Sequence, residues 1–135
     1  MKALISFLVA VHLVVTIWHG QAHQALAVML SPAKNAFVLM VIIVTPIVSA
    51  LLIWTRYVRA GLWCFFMAMI ASFLFGVYHH YLLMSPDNVH HLPPGSAGDH
   101  SAFITSAAVL AFLELASATC GGFCVWRLEK AAPAE

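Results

Sequence analysis

Four long apolar runs, parted by three short polar breaks, decide most of what this chain can become. The runs extend from about Ala3 to Leu30, Ala36 to Trp54, Leu62 to Met84 and His100 to Trp126. Each is comparable to or longer than the roughly 20 residues that a helix needs to cross hydrocarbon. Only 8% of the chain is charged and 63% is hydrophobic, whereas a soluble domain carries about a quarter charged residues. The expected fold is therefore all-α: a four-helix transmembrane bundle, one domain over residues 1–135, with the lipid bilayer as its first partner. Four spans consume the length and leave no room for a soluble domain.

The breaks fit this reading. Ser31-Pro32-Ala33-Lys34-Asn35 supplies turn chemistry for a short antiparallel connection, and Thr55 to Gly61 forms the second. The third, from Ser85 to Asp99, is the one substantial loop and carries His90 and His91. Asp99 is placed as the N-cap of the fourth helix, and a short polar tail runs from Leu128 to Glu135. Pro46 lies inside the second run, where its missing N–H should bend the helix. The first run is longer than a bilayer requires and should tilt or project. Lys2 and the stretch from Ala3 to Trp18, with Ala25-Leu26-Ala27 behind, also have the shape of a cleavable signal peptide. Hydrophobicity resumes through Leu30, and removal would leave an odd number of spans, so the helix is read as retained.

Charge sets the expected orientation. Four spans gather Lys2, Arg56, Arg59, Arg127 and Lys130 on one side and leave Lys34 on the other. The positive-inside rule then makes both termini cytoplasmic in a cell inner membrane, with the histidine-rich loop facing out. With a net charge of +1, no basic run and no Gly-rich phosphate loop, nothing points to nucleic acid or nucleotide. Serines without a Gly-x-Ser-x-Gly setting and the lack of His-Glu-x-x-His and paired carboxylates give no sign of an enzyme.

What remains is a set of polar residues in apolar surroundings. On the first helix His12, His19 and His23 fall within about 40° of one another, with Thr16 beside them. On the third, Ala68, Ser72, Gly76 and His80 follow at i+4 steps; such small residues let another helix approach and turn His80 inward, His79 pointing away. His19 and His80 come out at similar depth, roughly 10–14 Å from the midplane. Imidazole suits copper, zinc and iron, and an i, i+4 pair such as His19 and His23 can chelate. The expected metal ligands are His19, His23 and His80, with His79, His90, His91 and His100 as second candidates. Two histidines on facing helices can instead hold a haem b axially, without covalent attachment because Cys-x-x-Cys-His is absent.

Near the midplane, Glu114 is the only acid inside a span, and His12 at similar depth is its expected partner, as a proton relay or as a structural lock. Cys120 and Cys124 lie one turn apart toward the cytoplasmic side, where they either pass a soft ion or simply pack. The functional expectation is a small membrane protein with an outward-facing histidine cluster for a transition metal, copper or zinc, or for a haem. The alternatives are a non-catalytic subunit that binds a larger membrane complex or itself, and a pH sensor using the same histidines.

Overall fold

The computed structural model describes residues 1–131; the last four residues of the expected tail lie outside them. Four helices are long and apolar enough to cross a membrane: α1 (Lys2–Ala25), α2 (Pro32–Leu52), α3 (Val58–Leu82) and α4 (Ala97–Ala131). No strand occurs among the described residues. The expected spans are all present, but their ends differ, and each difference has a local cause.

The helical run from Ala3 to Leu30 breaks off at Ala25. Ala27 takes a left-handed φ of 52°, and the N–H groups of Leu26, Ala27 and Val28 fold back onto the carbonyls of Ala22, Gln24 and His23. Leu26 and Val28 are apolar because they bury against Phe103, and not because they continue the helix. At the start of α2, Ser31 caps the Lys34 N–H and Pro32 takes the first turn, so the helix begins four residues before Ala36. Rather than a simple bend at Pro46, α2 widens to π geometry over Val38–Val44 and returns to α geometry at Thr45. Thr45 Oγ1 donates to the Met40 carbonyl at 2.7 Å in this wide turn.

The third helix starts at Val58, earlier than Leu62, and its last turn, Tyr78–Leu82, is also π. Asp99 does not cap α4 from outside. Ser96 precedes the helix and accepts from the Asp99 N–H at 3.1 Å, while the Asp99 carboxylate accepts from the Ser96 N–H and hydroxyl. This is a reciprocal capping box with aspartate in the glutamate position. At 35 residues and 1.5 Å per residue, α4 is roughly 50 Å long.

Packing is uneven around the bundle. The fourth helix lies against both α1 and α3, and α2 lies against α3. Gly121 makes the α3–α4 approach possible: a Cβ there would sit 2.9 Å from the Phe65 ring and 3.3 Å from the Phe66 Cα. Between α1 and α2, by contrast, contact is concentrated at the Thr45–Leu52 half of α2. That end is filled by Ile5, Val9, Ile53, Leu62, Phe65, Ala68, Met69 and Ala118. Several charged groups also lie there, with Arg59 paired to Glu129 and Lys2 over the Trp54 ring. The other half of the bundle is left open enough to hold a site. Outward, Phe7, Val14, Leu51, Leu74 and Phe112 are exposed, as helices facing lipid require.

Candidate metal centre

Three imidazoles from two helices meet inside the open half. His19 Nε2 lies 3.1 Å from His80 Nε2 and 3.1 Å from His23 Nε2, and one ligand atom from each residue falls within 4.8 Å of the others. Among the described residues this is the single group of three His, Cys, Asp or Glu side chains so arranged. His19 and His80 are buried and His23 is half-buried.

The local structure that places each ring is specific. The i, i+4 step puts His19 and His23 on one face of α1. His80 arrives from the π turn of α3, at the end of the small-residue line in which Ala68 and Ser72 are also buried. The Phe103 ring of α4, fully buried, lies 4.8–5.5 Å from all three imidazole centroids and closes the cluster on its fourth side.

The other nitrogen of each ring is already engaged. His80 Nδ1 donates to the Asp87 backbone carbonyl at 2.9 Å, and His23 Nδ1 donates to the Val28 carbonyl at 3.2 Å. A carbonyl only accepts, so in both rings Nδ1 carries the hydrogen. His19 Nδ1 lies 2.8 Å from Ser106 Oγ, whose hydroxyl donates to the Phe103 carbonyl at 3.1 Å and so accepts from the imidazole. In the neutral state all three Nε2 atoms are therefore bare lone pairs, with His19 Nε2 3.1 Å from each of the other two, and such neighbours repel unless a proton, a bridging water or a metal ion lies between them. A metal at 2.0–2.1 Å from tetrahedrally placed nitrogens keeps those nitrogens about 3.3 Å apart. Histidine ligands characteristically donate their second N–H to a carbonyl or hydroxyl in this way, which fixes the tautomer.

Asp87 completes the surroundings. The residue is 4% exposed and neither carboxylate oxygen has a hydrogen-bond partner. Oδ1 lies 3.3 Å from His80 Nδ1 and 3.4 Å from His23 Nε2. Burial pushes this carboxyl up, but contact with His80, the positive charge that His80 and His23 carry when protonated, and the charge of Lys34 outweigh it and hold it below the ordinary carboxylate range. A buried anion of this kind calls for a nearby cation.

The remaining candidates lie elsewhere. His79 donates from Nδ1 to the Phe75 carbonyl at 2.9 Å and packs on the Phe75 ring. His90 and His91 are exposed, their loop organised by Asn88 Oδ1, which accepts from the His90 N–H and meets His91 Nδ1. His100 Nε2 donates to the Pro93 carbonyl at 2.8 Å. None of the four joins the cluster. Cys120 and Cys124 pack at the opposite end with Leu62, Phe65 and Val125, and no third ligand approaches them among the described residues. Deeper in the bundle His12 Nε2 is 3.2 Å from Glu114 Oε1, both side chains being almost fully buried.

Sequence reasoning missed Asp87, Ser106 and Phe103. Ser106 and Phe103 share the inward face of α4 with Glu114, at steps of eight and eleven residues, so their position was readable once Glu114 was taken to point inward. Asp87 sits in an irregular loop where no periodicity applies.

The chain matches no family model, no curated protein and no solved structure.

Proposed function

We propose that this is a membrane-embedded transition-metal-binding protein whose site is the His19, His23 and His80 triad, with Asp87 as the compensating charge. The observation that carries this reading is the tautomer pattern: three Nδ1 atoms engaged by acceptors and three Nε2 atoms left to converge. Copper and zinc both accept neutral imidazole nitrogen in a three-ligand site that keeps an open position. Haem is the weaker fit. Axial ligands stand on opposite faces of a macrocycle, and nitrogens 3.1 Å apart leave no slot for its plane. In a bilayer the charge asymmetry places the triad toward the outer face and both termini in the cytoplasm.

Metal analysis and an optical spectrum of the purified full chain test the proposal. One copper or zinc per chain supports it, a Soret band transfers the site to haem, and neither leaves the accessory-subunit reading.

A further inference from the structure

Beneath the triad lies a cavity of about 300 Å³, and its lining is one-sided in charge. His19, His23, His80 and Asp87 stand at one end and Glu114 at the other, and no lysine or arginine lines it. Lys34, whose charge acts on Asp87, lies outside the lining. A chamber with two acids and no fixed positive charge suits a cation.

Glu114 gives that cation an anchor. Its side chain is 4% exposed, and His12 Nε2 lies 3.2 Å from Oε1, which leaves Oε2 free and turned toward Gly76 and the chamber. Thr16 Oγ1, one turn from His12 on α1 and also in the lining, is buried without a hydrogen-bond partner. A buried carboxylate oxygen and a buried hydroxyl both cost free energy while unmatched. Both accept, so an N–H donor answers both, whereas a ligand that only accepts leaves the carboxylate unanswered.

The walls favour an organic cation over an inorganic one. The lining includes Val38, Ile42, Phe75, Ala107, Leu110 and Ala111, whose hydrocarbon offers no oxygen to replace a hydration shell. The volume also exceeds what one bare ion fills, since an apolar cavity of about 150 Å³ already holds a benzene ring. What fits is an ammonium head at Glu114 with a hydrocarbon body against these walls. Past Glu114 the packed core of Val9, Phe65, Ala68 and Met69 closes the chamber, so the head stops there. Toward the triad end Gln24 and Asn35 are exposed at its edge, a polar approach for a water-borne ion.

We propose that the chamber binds a small primary ammonium ion with a hydrocarbon body, its N–H groups on Glu114 Oε2 and Thr16 Oγ1. This goes beyond the metal reading and does not depend on it, because the anchor lies at the end away from the triad. The probe is benzylamine, protonated at pH 7 to benzylammonium. Benzyl alcohol, of matching size and without the charge, is the control.

Titration calorimetry of the detergent-solubilised full chain, metal-loaded and chelator-stripped, is expected to show saturable benzylammonium binding in both states. Benzyl alcohol should bind at least about tenfold more weakly. Glu114→Gln keeps the shape of the side chain and removes its charge. Ala111→Leu keeps the charge and narrows the chamber, five residues along α4 from Ser106. Each should weaken benzylammonium at least about tenfold, with helical circular dichroism and metal content as in wild type. No saturable binding, equal affinity for benzyl alcohol, or wild-type benzylammonium affinity in either variant would overturn the proposal. Binding confined to the metal-loaded protein means that the amine ligates the metal, which overturns the chamber site and leaves the triad standing. Benzylammonium binding in protein that never holds metal sustains the chamber site and defeats the metal reading.

Discussion

At the residue scale, each imidazole of the proposed site would have two tasks, and substitution separates them. His19→Ala or His80→Ala removes one of three nitrogens and is expected to abolish stoichiometric metal. His79→Ala and His91→Ala, whose rings bond elsewhere, should leave metal content unchanged. Asp87→Asn keeps the shape of the loop but deletes its buried charge, and metal affinity should fall about 10–100-fold, as for other outer partners of metal-bound histidine. Asp87 also gives a pH signature in the metal-free protein. Because its folded pKa is depressed, its contribution to stability is present above the unfolded value near 3.9 and is lost as pH falls through the lower folded value. The difference in thermal stability between wild type and Asp87→Asn should therefore persist from neutrality to about pH 4 and shrink below it.

At the element scale, helix ends and close approaches decide where the ligands stand. Ser96→Ala breaks the capping box of α4 and should cost about 1 kcal/mol in unfolding measurements. Gly121→Ala drives a methyl into the Phe65 ring and toward the α3 backbone; forcing the helices apart should cost about 1–3 kcal/mol. The existence of four helices was legible because apolarity over some 20 residues has few other outcomes. Their ends were not. Leu26 and Val28 look like helix continuation, yet they are buried against Phe103 after a left-handed residue. The α1 histidine seam and the Ser72–Gly76–His80 line were legible from helical period alone. The π turn that carries His80 has no sequence signature comparable to a proline or glycine, and Asp87 is placed by loop tertiary structure.

At the scale of the whole molecule, a bundle tight at one end and open at the other accounts for the division of its polar groups. Arg59, Lys2, Lys130, Trp54, Trp63 and Trp126 gather at the packed end, while the histidine triad, Asp87 and the cavity occupy the open one. Reporter fusions after Lys130 and within the loop around His90 should place the packed end in the cytoplasm and the loop outside; the reverse would refute the orientation. The claim on which the rest depends is that three Nε2 atoms share one ion. X-ray absorption at the copper and zinc edges of the purified protein addresses it directly. The account predicts a first shell with three imidazole nitrogens at about 2.0–2.1 Å, reduced or lost in His80→Ala. A sulfur-dominated shell, or an unchanged nitrogen shell in His80→Ala, would contradict it.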